Sequence, residues 1–220
     1  IKYFEKALDN RQDNLDTYEI RYQLALAYYQ LKDLKNALRE FDYVKGTVAP
    51  NALNAAYYSA VINFQNENYD LAIIDLKRVE NVNPYKTEVP NWIAQILYRQ
   101  KKYDELLAYA EPIIANPNGR KIDELCLLTA EVHFFENNFE KAAAFYEKFK
   151  GFRRGTISDQ VTFRHAYSLY KVENYEKAAL LFKNLASANN ELGQQSAYYL
   201  GIASLRGGDL NSALAAFDAA

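Results

Sequence analysis

Three side chains in this 220-residue sequence have the chemistry of nucleophiles or metal ligands: Cys126, His133 and His165. They are its only cysteine and its only histidines. His133 follows Cys126 by two helical turns, roughly 10 Å, which is too far for an imidazole to take the thiol proton. The helical pattern turns all three toward a partner helix, so core filling competes with a role as nucleophile or metal ligand. Carboxylates such as Glu140 and Glu147 fall on solvated helix faces, and none pairs up as glycoside hydrolysis would need. Neither a glycine-rich phosphate loop nor a clustered ligand set is present. The sequence therefore reads as a non-enzyme: no catalytic residue, no metal site and no cofactor. One basic stretch, KGFRRG from Lys150 to Gly155, could touch an anion with the help of Phe152, or could be a solvated loop between helices.

Composition restricts the partners. A net charge of −2 gives no general attraction to nucleic acid or to an anionic membrane. No apolar run approaches the roughly 20 residues of a membrane span, so neither nucleic-acid binding nor membrane insertion is expected. A single cysteine excludes an intrachain disulfide. Half the residues are hydrophobic and a quarter charged, a globular composition with ample material for a core.

The elements that must position any site emerge from an internal repeat. FENNFEKAAAFYEKF, from Phe135 to Phe149, is nearly rewritten as VENYEKAALLFKNL from Val172 and as QNENYDLAIIDLKRV from Gln65. The shared alanine recurs at Ala37, Ala72, Ala142, Ala178 and Ala213, with Leu106 in register, at spacings of 35, 34, 36, 36 and 35 residues. A fixed period of this length marks a stacked solenoid. Large apolar residues stand three before the anchor (Leu34, Tyr69, Tyr103, Phe139, Tyr175, Leu210). Twelve before it stands a small one (Ala25, Ala60, Ala94, Ala130, Ala166, Gly201). Four after it stand Phe41, Leu76, Ala110, Tyr146, Phe182 and Phe217.

Offsets of −3, 0, +4 and +7 share one helix face, so each phrase predicts an amphipathic helix starting near Leu34, Tyr69, Tyr103, Phe139, Tyr175 or Leu210. Asp33, Asn68, Asn138, Asn174 and Asp209 precede five of these starts as N-caps; Lys102 caps the remaining one weakly. Upstream of each lies a helix carrying the small residue, which lets two backbones come close. A turn of about three residues makes each pair antiparallel.

This arrangement resembles the tetratricopeptide repeat over nearly the whole chain, as in Tyr69–Ile73 followed by Pro84. The resemblance implies an all-α, right-handed superhelix of about six helix pairs after a partial N-terminal repeat. The bounds are 1–17 for the partial repeat, then 18–52, 53–86, 87–122, 123–158, 159–193 and 194–220, forming one solenoid. Both ends read as cut from a longer array, so Tyr3, Phe4, Leu210, Leu214 and Phe217 are expected to support weak self-association. Leu106, His133 and Asn63 depart from the family pattern, and Pro112 should kink its helix.

The first helices also carry a second stripe at i, i+4, i+7, which in the resembled family lines the concave surface. It comprises Tyr22, Leu26 and Tyr29; Tyr57, Val61 and Phe64; Asn91, Gln95 and Tyr98; Glu131 and Phe134 after Leu127; Phe163, Tyr167 and Tyr170; and Tyr198 before Ile202 and Leu205. Part of it packs between neighbouring first helices, and the rest is a groove suited to interface anchoring. Its polar middle suits a partner's backbone. The family's paired Lys and Asn that clamp a chaperone's terminal peptide are absent, since Tyr22, Leu26, Tyr57, Val61, Phe163 and Tyr167 stand there. The expected function is a protein–protein interaction scaffold that takes a protein or peptide segment. A carbohydrate-binding surface and a structural spacer are the alternatives. A looser similarity to bacterial cell-envelope proteins favours the envelope or periplasm over the cytoplasm.

Overall fold

The computed structural model describes residues 1–9 and 14–219, as thirteen α-helices and one 3₁₀ turn, with no strand among the described residues. The helices are α1 (Lys2–Leu8), α2 (Leu15–Gln30), α3 (Leu34–Lys45), α4 (Ala52–Gln65), α5 (Tyr69–Val79), α6 (Val89–Arg99) and α7 (Tyr103–Ala115). They continue as α8 (Asp123–Phe135), α9 (Phe139–Phe152), α10 (Asp159–Lys171), α11 (Tyr175–Leu185), α12 (Glu191–Arg206) and α13 (Leu210–Ala219). The 3₁₀ turn Tyr85–Thr87 precedes α6. Two compact units divide the chain, Ile1–Lys102 and Tyr103–Ala220.

All six helices of the repeated phrase begin on the residues that the register sets: Leu34, Tyr69, Tyr103, Phe139, Tyr175 and Leu210. The packing follows the offsets. Ala37, Ala72, Leu106, Ala142 and Ala178 are fully buried, as are the small residues Ala25, Ala60, Ala94, Ala130 and Ala166. Gly201 completes that series because a Cβ there would lie 2.5 Å from the Phe217 ring. The large residues Phe41, Leu76, Tyr146 and Phe182 fill the space beside the close backbones. Phe217, the last of them, remains 40% exposed. In the first unit, Ile1, Phe4 and Leu8 pack onto the core that includes Phe41, and the Tyr28 hydroxyl donates to Glu5 Oε1 at 2.7 Å. Helix α7 passes through Pro112 without interruption.

Ala166 is fully buried, so leucine there overpacks the helix contact. Ala166→Leu is expected to cost about 1–3 kcal/mol, whereas the exposed Lys171→Leu should change stability by about 0.5 kcal/mol or less. Denaturant midpoints of the two variants check this.

Each three-residue turn inside a pair has one conformation. Lys32, Glu67, Lys101, Asn137, Glu173 and Gly208, five residues before successive anchors, all have positive φ, from 57° at Lys101 to 86° at Gly208. The following residue's N–H reaches five residues back: Asp33 N to Tyr28 O at 3.0 Å and Asn174 N to Leu169 O at 2.9 Å. This left-handed closure satisfies carbonyls that a helix end would otherwise orphan.

The caps agree with the sequence in part. Asp33 accepts from Asn36 N at 3.2 Å, Asn138 from Lys141 N at 3.4 Å and Asp209 from Ser212 N at 3.0 Å. Asn68 and Asn174 make no side-chain cap. The Asn68 amide instead donates back to Asn63 Oδ1 at 3.4 Å, and Asn174 is tied in through its backbone alone.

Candidate binding groove

In the first unit the expected stripe is largely filled by the protein's own rings. Tyr22 and Val61 are buried, and Leu26 and Tyr29 are half-buried against the core. Tyr22 meets Phe41 edge-on at 6.0 Å, and Tyr29 meets Tyr58 at 5.4 Å. Tyr57 is covered by Tyr85 from the 3₁₀ turn, stacked at 4.3 Å, with the Tyr85 hydroxyl donating to Asn54 Oδ1 at 2.8 Å. Burial raises the phenol pKa values of Tyr57 and Tyr85, and pushes Tyr22 up to about 12. Phe64 is met by Trp92 at 4.9 Å, with the Arg99 guanidinium 5.2 Å from its ring. Gln95 and Tyr98 are half-buried, while Asn91 is buried and its Oδ1 has no hydrogen-bond partner among the described residues.

The second unit has an open concavity of about 740 Å³. Phe134, Phe163, Tyr167 and Tyr198 line it, together with Phe139 and Tyr199. Asn137, Gln194 and Gln195 supply its amides. The walls are a continuous set of ring contacts. Tyr167 meets Phe134 at 6.0 Å, Phe139 at 5.7 Å and Tyr199 at 5.3 Å, the last perpendicular. Tyr170 joins through Tyr167 at 6.2 Å and Tyr199 at 5.7 Å. Burial raises the Tyr199 phenol pKa, so this ring stays uncharged near neutral pH. Tyr198 is 52% exposed at the mouth.

Glu131 does not take part in this surface. It is 6% exposed, pairs with Arg164, and accepts from the Tyr146 hydroxyl at 2.7 Å. Its carboxylate is thus consumed inside the packing of α8, α9 and α10, and the expected polar middle is not available to a partner at this residue.

Four ring or cover residues escaped the stripe. Tyr58, Trp92 and Tyr199 each stand fourteen residues before an anchor, a recurrence visible in the sequence. Tyr85 lies outside the repeated phrase in a connector and carries no comparable signal. Phe139, a helix-packing position in the repeated phrase, also forms part of the wall.

The remaining reactive groups are internal. Cys126 is fully buried, and burial pushes its thiol up to about 11, where little nucleophilic thiolate exists. His133 is 2% exposed, stacks on Phe145 at 5.7 Å and lies 3.1 Å from Glu111 Oε1. His165 is 5% exposed, and burial lowers it to about 4. Among the described residues no three His, Cys, Asp or Glu side chains gather as a metal cage, and no helix is long and apolar enough to cross a membrane. The basic stretch is half helical, since Lys150, Gly151 and Phe152 end α9; Arg153 pairs with Asp123 at 3.2 Å, and Phe152 is 53% exposed.

Stacked antiparallel helix pairs with an aromatic hollow define a helical-repeat solenoid, a fold that commonly mediates protein–protein interaction. A family model of the tetratricopeptide repeat matches residues 1–52 and 163–220, half of the sequence; the chain belongs to the tetratricopeptide repeat family. A tetratricopeptide repeat protein from Parabacteroides merdae is similar in structure, with a TM-score of 0.61 at 14% identity, over 91% of this chain and 77% of that one. PilW, a type IV pilus biogenesis factor, gives 0.53 at 18% identity over 90% of each chain. PilF from Pseudomonas aeruginosa gives 0.54 at 19% identity over 90% of this chain and 88% of that one. These likenesses concern the fold. No curated protein sequence matches the chain.

Proposed function

We propose that the chain is a non-enzymatic scaffold that holds a segment of a partner protein in the aromatic hollow of its second unit. The supporting observation is the contrast between the units. Tyr85 and Trp92 cover the stripe residues Tyr57 and Phe64, while Phe134, Phe163, Tyr167 and Tyr198 border open space. Aromatic anchors of this kind dominate protein interfaces. The same reading keeps the six repeats of the sequence as the modules that present these rings.

Truncation of such anchors typically costs about 2 kcal/mol or more. Tyr167→Ala with Tyr198→Ala is therefore expected to weaken binding at least about tenfold. His133→Ala and Cys126→Ala should leave affinity per folded molecule unchanged. A photo-crosslinking residue in place of Gln194, used in the full chain, identifies the bound segment, and calorimetry on the variants then measures its affinity. Unaltered affinity in the double tyrosine variant would place binding elsewhere and favour a structural spacer. Displacement by free oligosaccharide would favour a glycan ligand.

A further inference from the structure

The polar groups around the second unit's hollow restrict what it can hold. Asn137 and Gln194 are exposed, and their side-chain amides have no partner among the described residues. The Gln195 amide nitrogen is already held by Glu191 Oε1 at 3.2 Å. Charge of both signs flanks the hollow. Lys171 Nζ lies 5.4 Å from the Phe139 centroid and 6.0 Å from that of Tyr167, and it makes no ion pair among the described residues. Arg164, near Phe134 and Phe135, is neutralised by Glu131. The hollow thus combines flat ring faces and two free amides, with the Lys171 ammonium beside two of its rings and the Glu191 carboxylate beyond Gln195.

We propose that the occupant is a proline-containing peptide segment in the polyproline II conformation, with an acidic side chain directed to Lys171. This rests on the groove reading above and narrows it to a ligand class. A bound α-helix would have its backbone groups satisfied internally and would offer the Asn137 and Gln194 amides no backbone carbonyl. A polyproline II strand has no internal hydrogen bonds, so its carbonyls are free to accept from both amides. Pyrrolidine rings are flat and apolar and lie well on aromatic faces, the basis of proline-rich recognition in aromatic-lined grooves. The conformation is already formed in the free peptide, which lowers the ordering cost of binding. An acidic residue beside the prolines meets Lys171, while Glu191 disfavours the reverse orientation.

The test uses the full chain and three synthetic peptides of equal length: one alternating prolines with aspartates, one with glycine replacing each proline, and one amphipathic leucine–lysine helix. Calorimetry and amide-shift mapping read the binding. The proline peptide is expected to bind at least about tenfold more tightly than the glycine peptide, with shifts centred on α10 and α12. Lys171→Gln should weaken the aspartate-bearing peptide about threefold or more and leave its asparagine counterpart unchanged. Tyr198→Ala, at an exposed ring, should reduce binding without unfolding the unit. Equal binding of the proline and glycine peptides, or indifference of the proline peptide to both variants, overturns the proposal. If the helix peptide alone binds and loses affinity in Tyr198→Ala, the polyproline assignment fails while the groove reading stands. If cellohexaose alone binds with that sensitivity, both fail in favour of a glycan.

Discussion

Arg164→Met is expected to destabilise the second unit by about 3–5 kcal/mol, the usual cost of breaking a buried ion pair from one side. Glu131 is held between helices, 6% exposed, and its partners are the Arg164 guanidinium from α10 and the Tyr146 hydroxyl from α9. Methionine preserves much of the arginine stem's packing but removes the counter-charge. The carboxylate is then left in the interior with a single neutral donor. The loss falls on the junction of three helices, so it should appear as a lower denaturation midpoint of the second unit. Glu131→Leu combined with Arg164→Met should recover most of the stability, because replacing both charges with apolar groups removes their desolvation cost as well. A single variant as stable as the parent would show that the pair adds nothing to the junction. A double variant no better than Arg164→Met would assign the loss to packing instead of charge.

The legible part of the fold was the part written in side-chain volume. Ala72, Ala142 and Ala178 must be small or medium because helices cross there, and Tyr69, Phe139 and Tyr175 must be large because they cover that crossing. Such requirements repeat with the period, and they placed all six helix starts to the residue. The turns were less legible. Lys32, Glu67, Lys101, Asn137 and Glu173 adopt the left-handed region without the glycine that usually announces it, because tertiary packing sets the pair geometry and overrides local preference. The caps show the same limit: Asn68 and Asn138 are equivalent in sequence, yet only Asn138 caps, since Asn63 offers Asn68 another partner. For the groove, periodicity identified which helix face carries rings. Whether a ring borders space depends on neighbours from outside the phrase, as Tyr85 over Tyr57 shows. It also depends on charge pairing across helices, which withdrew Glu131 from the surface.

Acidification from pH 7 to pH 4 should draw about 3 kcal/mol from the second unit through His165 alone. Its ring is 5% exposed among α9, α10 and α11, beside Tyr146 at 5.7 Å and lining a small cavity with Lys150, Leu181 and Asn184. Burial lowers its pKa from 6.5 to about 4; Lys150 and Lys177 act in the same direction, and Glu147, 3.5 Å from Nε2, opposes them. The folded state therefore binds the proton less readily than the unfolded chain. Stability from this group is fully present above pH 6.5, declines as the unfolded chain takes up its proton, and is spent as pH falls through about 4. At about 1.4 kcal/mol per pKa unit, the difference amounts to the figure above. His165→Gln keeps a polar, uncharged group of similar size at the site, so it cannot take up this proton. Denaturant titrations of parent and variant at pH 7, 6, 5 and 4 isolate the effect, because exposed carboxylates such as Asp209 titrate in both. The parent's stability should fall more steeply between pH 6.5 and 4, by about 3 kcal/mol in total, whatever the offset between the two proteins at pH 7. Parallel pH profiles would show that the folded imidazole is protonated as easily as the unfolded one, and that its burial among these helices does not exclude the charge.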